Sequence, residues 1–313
     1  MSRNSDTRVL LFKKYAENLR MVLSSFSDLK PLDKLLYLCP LCIRAFDYTA
    51  LDQTCHNSLT IEHIPPGAVG GKEVVLTCKK CNNMHGELFD SELSKKAKLF
   101  RTIKGKDNSF ISTSFLVNDS IKTDGIIEFP KPEELVLSFQ RERTNPIYYK
   151  SIENLIQNPT FNFSFRHNIY NEKKASFSLL RAAYLKAFKQ LGYAYLLTKE
   201  SNEVRNGIMN YDPEEKRVRV ILLGRGMKNK EGLNIITSPK VLRGYLVTFN
   251  LNFITSGDIV GILLPGNQKH SGEFYSSYEA LVKDDVGIEL SCTNIDEIDF
   301  FNAANCLKPY TLW

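Results

Sequence analysis

Long apolar runs are missing from this 313-residue chain. Stretches such as Ala182–Leu185 and Ile259–Leu264 fall far short of the ~18 residues that a membrane span needs, so no membrane partner is expected. Glycine (17) and proline (12) are sparse, hydrophobic residues make up 43% and charged residues 24%. That balance excludes collagen-like, coiled-coil and largely disordered chains. No internal repeat and no low-complexity linker interrupts the sequence. The N-terminus lacks an uninterrupted apolar segment, because Lys13 and Lys14 follow only four apolar residues. A signal peptide is therefore not expected, and the default address is the cytoplasm. The length suits about two domains at ~100–200 residues each, enough core to fold without disulfides.

Net charge is +6, and its placement is uneven. Between Lys72 and Lys106 nine basic residues face four acidic ones, whereas Asp284 to Cys306 carries six carboxylates and no lysine or arginine. A polyanion would be drawn to the first third of the chain. Taken alone, the basic stretch reads as a solvated, lysine-rich helix face.

Apolar positions at 9, 12, 15, 16, 19, 22, 23 and 26 predict an amphipathic helix over residues 8–26. Residues 28–35, with Pro31 and Asp33, predict a turn into a short strand or ribbon. Extended patterns recur at 110–117, 124–129, 135–140 and 161–167. A helix predicted from Ala175 to about Lys199 is apolar enough to be buried on more than one face. Strand patterns return at 218–224, 244–253, 258–264 and 286–291. The fold class expected is α+β, with an N-terminal helical segment (1–36), a chemistry-bearing module (37–104) and a mixed α+β domain (105–313).

Seven cysteines are present, four of them in two pairs with one spacing, Cys39-Pro-Leu-Cys42 and Cys78-Lys-Lys-Cys81. A two-residue gap lets a tight turn aim both thiolates at one ion, and two such knuckles complete a tetrahedral four-cysteine zinc site. The 35 intervening residues exceed a compact zinc ribbon, so something is inserted. Cys55, Cys292 and Cys306 read as ordinary buried thiols, and His56 as a loop residue.

Between the knuckles lies Thr60-Ile61-Glu62-His63-Ile64-Pro65-Pro66, followed by a Gly-rich loop, the strand VVLTC, and CKKCN opening a helix. Over these roughly 60 residues the chain resembles the HNH (ββα-metal, His-Me finger) endonucleases with two zinc knuckles, such as phage-type endonuclease VII. The resemblance implies a zinc-stapled ββα-metal module in which Glu62 and Asn82 hold a catalytic Mg2+ or Mn2+ and His63 is the general base. His85, three residues after Asn82, is a further candidate for the metal or a phosphate. The chemistry suits these residue types. Neutral imidazole accepts a proton from water near neutral pH, and hard oxygen ligands suit Mg2+ or Mn2+. Lys79, Lys80, Lys95, Lys96, Lys98, Arg101 and Lys104 would hold a DNA backbone without reading its sequence.

Two residues depart from that family's pattern: Glu62 stands where its members often carry Asp, and Glu73 where many of them carry an Asn said to brace the catalytic loop. The function implied is metal-dependent DNA cleavage leaving 5′-phosphate ends, in a setting such as restriction or anti-phage defence. The alternatives are an inactive zinc module that binds nucleic acid or protein, and an RNA-directed nuclease. A single centre of this kind cuts one strand, so double-strand breaks would need two events or a homodimer, assembled through the C-terminal domain as a partner protein would be.

Overall fold

A computed structural model describes residues 3–26, 33–104, 110–117, 121–131, 134–139, 150, 157, 163–165, 170–214, 218, 220–223, 231–251, 253, 259–266, 271–282 and 288–312. The chain divides into two compact units, Met1–Asp90 with Ser176–Trp313, and Ser91–Ala175. These units do not follow the 37–104 and 105–313 scheme. The basic helix of the expected module groups with the middle strands, while the C-terminal half of the chain groups with the cysteine segment.

In the first unit, helix α1 (Arg3–Ser24) buries Phe12, Tyr15, Ala16, Leu19 and Val22 of the predicted stripe, while Val9 and Leu23 are half-buried and Phe26, beyond the helix, is exposed. A two-stranded ribbon, β1 (Tyr37–Leu38) with β2 (Ala45–Phe46), carries the first knuckle. An antiparallel hairpin follows, β3 (Leu59–Ile64) with β4 (Glu73–Cys78), running directly into helix α2 (Lys79–His85) and one π-type turn, Gly86–Asp90.

The second unit opens with α3 (Ser91–Ile103) and contains a four-stranded antiparallel sheet, ordered β7-β6-β5-β8. Its strands are β5 (Ile111–Val117), β6 (Ile121–Lys131), β7 (Glu134–Phe139) and β8 (Phe163–Phe165). Leu99 of α3 packs with Ile111, Phe115 and Ile127 to make its core.

The chain re-enters the first unit along α4 (Glu172–Leu191), whose Phe177, Leu180, Ala183, Tyr184, Ala187, Phe188 and Leu191 are all buried. A helix buried all round is what its apolar composition predicts. It ends earlier than the sequence suggests. Gly192 turns the chain at φ +66°, and a Cβ there would stand 2.4 Å from the Asn18 Oδ1 that accepts the Tyr193 N–H. Only glycine meets both demands. The short helix α5 (Tyr193–Leu196) and α6 (Lys199–Met209) follow, the latter capped by Thr198.

A five-stranded antiparallel sheet completes the unit, ordered β13-β10-β11-β12-β9. It comprises β9 (Val220–Leu223), β10 (Gly232–Ser238), β11 (Gly244–Asn250), β12 (Ile259–Pro265) and β13 (Ser291–Asn294). Helix α7 (Ser271–Val282) covers it through Phe274 and Tyr275, and neither α6 nor α7 stands out in the sequence pattern. The last strand lies at 291–294 rather than 286–291, and residues 286 and 287 are outside the described set. The turn expected around Pro31 and the basic residue Lys106 also lie outside it. Among the described residues no helix is long and apolar enough to cross a membrane.

Candidate metal centre and the hairpin beside it

The first knuckle is a tight loop closed by Cys39 N–H to Arg44 O (3.0 Å) and Ile43 N–H to Cys39 O (2.9 Å), with Ile43 left-handed at φ 59°. The second begins where β4 becomes α2, so that Cys78 ends the strand and Cys81 sits in the first helical turn. The sulfurs of Cys39, Cys42, Cys78 and Cys81 all lie within 4.8 Å of one another, and the chain's seven cysteines are free thiols. Tetrahedral zinc with bonds of ~2.3 Å would separate its sulfurs by about 3.8 Å. Cys42 and Cys78 Sγ stand 3.7 Å apart, and the Cys78 N–H points at Cys39 Sγ from 3.4 Å. The donor set fits a metal such as zinc. Burial pushes the Cys39 thiol well up, while hydrogen bonding with Cys39 draws Cys42 down and Cys78 to about 7. Four sulfurs this close ionise together only around a cation.

The remaining cysteines do not all follow expectation. Cys306 is buried and Cys292 half-buried, but Cys55 is exposed, as is His56 beside it.

Along β3 the side chains alternate, and the ladder continues through Ile64 opposite Glu73. Adjacent residues of a paired strand face opposite sides, so Glu62 and His63 diverge. Glu62 is buried at 5% exposure; His63 is exposed, beside Gly67 at the start of the loop. Pro65 and Pro66 follow only after the ladder has passed both residues. Asn82 belongs to the Glu62 side, since its Nδ2 donates to Thr60 Oγ1 (3.0 Å) and Ile61 O (3.3 Å). Three expected partners therefore separate into a pair, Glu62 with Asn82, and a lone His63.

The Glu62 face contains residues that motif reading did not single out. Arg181 of α4, 1% exposed, donates from Nη2 to Glu62 Oε1 (2.9 Å) and to Asp90 Oδ2 (2.5 Å), and Ser178 Oγ donates to Asp90 Oδ1 (2.5 Å). Burial raises both carboxyls above their usual range, with Arg181 opposing it. His85, 1% exposed and tilted against the Phe89 ring, is held down to about 3 by burial, with the Arg181 charge adding to it. Among the described residues, Glu62 Oε2, both imidazole nitrogens of His85, and Arg181 Nε and Nη1 have no hydrogen-bond partner. Two carboxyls share one guanidinium, and Glu62 Oε2 is left without a hydrogen-bond partner. The side-chain oxygens of Glu62 and Asn82 are of the hard kind that suits Mg2+ or Mn2+, and Glu62 Oε2 is unpartnered. The sequence signal that would have found Arg181 is a charged residue inside the apolar run SLLRAAYL.

The basic residues fall in both units. Lys79 and Lys80 are exposed on α2. On α3, Lys95 pairs with Glu92 (2.7 Å) and Lys96 with Glu172 (2.6 Å), Lys98 is exposed, and Arg101 and Lys104 are half-buried. Comparison with family models, curated proteins and solved structures yields no match.

Proposed function

We propose that the chain is a metal-dependent HNH-type endonuclease acting on DNA, with a structural zinc in the four-cysteine cluster. The observation that carries this reading is the chain order of the hairpin and helix. β3 bears Glu62-His63, β4 runs into a helix opened by the second knuckle, and the Asn82 amide is tied back to β3 beside Glu62. Glu62 and Asn82 would hold Mg2+ or Mn2+, whose charge would ease departure of the 3′ oxygen. His63, exposed at the loop, would accept the proton of the attacking water, and the lysines would hold phosphates.

The test is incubation with supercoiled plasmid, linear duplex, single-stranded DNA and RNA in Mg2+, Mn2+ or EDTA, alongside His63→Ala. Cleavage that EDTA abolishes is expected, with the variant slower by ~10²–10⁴-fold and its zinc content and melting unchanged. Equal cutting by His63→Ala would reject His63 as the base, and a product only from RNA would favour the RNA-directed alternative.

A second reading has its own observation. Glu62 is buried against Arg181 while His63 lies on the other face, which would suit a zinc module that binds nucleic acid or protein without catalysis. Retention of DNA without cleavage under any metal would select it.

A further inference from the structure

Helix α4 reaches both strands of the hairpin at the end away from the cysteines. On β3, Arg181 holds Glu62. On β4, Lys186 Nζ meets Glu73 Oε1 at 2.5 Å, and Lys189 Nζ stands 3.3 Å from Oε2. Glu62 and Glu73 stand on opposite strands but on one face of the hairpin, since Ile64 pairs with Glu73 and Glu62 with Val75. The loop itself is close-packed: a Cβ on Gly71 would overlap the Pro65 carbonyl, at 1.6 Å from its oxygen. Lys186 is 5% exposed and Arg181 1%, so both cations have left water, and each is compensated by a carboxylate of this hairpin. The same helix also reaches the first knuckle, where Tyr184 Oη donates to Pro40 O (2.8 Å).

We infer that Arg181 and Lys186 are positioning residues, fixing through Glu62 and Glu73 the loop end of the hairpin that presents His63. This rests on the nuclease reading for its catalytic consequence.

Lys186 gives the cleaner test, because Glu73 is 35% exposed and keeps both water and Lys189 once Lys186 is gone, so the variant leaves no buried, unpaired carboxylate. Lys186→Met and Lys186→Arg are compared with wild type, full-length and zinc-loaded. Amide hydrogen exchange over residues 62–75 and the His63 imidazole NMR signal are read first. Lys186→Met should speed loop exchange and shift the His63 signal, and Lys186→Arg should restore both. Steady-state cleavage should then show kcat lowered on the order of tenfold or more with KM held, since a small misplacement of a reacting group is costly. Unchanged exchange and an unchanged His63 signal in Lys186→Met would overturn the positioning role whatever the activity. Wild type that cuts nothing would overturn the nuclease reading alone, leaving exchange and NMR to decide the role of α4.

Discussion

The two ends of the β3–β4 hairpin are held by different physics. At the end where Leu59 pairs with Cys78, four sulfurs from two knuckles converge within 4.8 Å. At the end where Ile64 pairs with Glu73, buried cations of α4 grip Glu62 and Glu73 from 119 and 113 residues away in sequence. A metal cluster depends on soft, short-range bonds from a local spacing; an ion-pair clamp depends on where a distant helix packs. One end is therefore written as a motif, and the other only in tertiary structure.

The largest effect should come from breaking the cysteine end. Cys39→Ser or Cys78→Ser removes one of four donors, and structural zinc sites contribute ~10–16 kcal/mol of apparent binding energy to folding. Metal analysis should find about one zinc per wild-type chain and little in the variants, and cysteine-segment amides should lose their protection from exchange. A folded, metal-free wild type would remove the contrast between the ends.

Breaking the clamp should cost less. Arg181→Met strips the guanidinium that Glu62 and Asp90 share, leaving two carboxylates in a site where burial already raises their affinity for protons. Removing one partner of a buried ion pair costs about 3–5 kcal/mol, measurable by urea denaturation. Zinc content should stay at wild-type level, which separates this loss from that of the cysteine variants.

A pH titration sharpens the same end. His85 is buried and neutral, its folded pKa held down to about 3 from a usual value near 6.5. The unfolded chain therefore binds the proton that the folded one refuses, and stability falls as pH drops from about 6.5 toward 3. Glu62 and Asp90 act oppositely, since their raised folded pKa values favour the protonated folded state as pH falls. His85→Phe should remove the first component, on the order of a few kcal/mol across that window, and leave acid unfolding shallower. An identical pH profile in the variant would mean that His85 is not sealed from water.

How much of this was legible beforehand follows from range. The Cys-x-x-Cys pairs, the α1 stripe and the strand patterns of β5, β11 and β12 are local regularities, and each appears where its spacing implies. Gly192 cuts the long helix because of Asn18, a partner far away in sequence, so apolar periodicity runs past the real end. Glu62 and His63 read as partners through the family resemblance, although adjacent strand residues face opposite sides, and only the ladder shows that the strand continues past both to Ile64. Arg181 and Lys186 carry a signal, charges inside an apolar helix, but nothing in the sequence says which carboxylates they meet.

The smallest expected effect concerns the lysines, and it returns to the cysteine end. Lys79 and Lys80 are exposed where β4 becomes α2, whereas Lys95 and Lys96 are already paired with Glu92 and Glu172. Exposed ion pairs are weak, but a cation that already has a carboxylate beside it releases less counterion on meeting a phosphate. If the chain holds DNA, each full phosphate contact should contribute about 0.9 to the slope of log affinity against log salt. Lys79→Ala with Lys80→Ala should flatten that slope by nearly two such increments, and Lys95→Ala with Lys96→Ala by less than one. Equal losses from the two pairs would show that the α3 ion pairs open in the complex. No loss from Lys79 and Lys80 would move the nucleic-acid contact away from the knuckle and onto the unit that begins at Ser91.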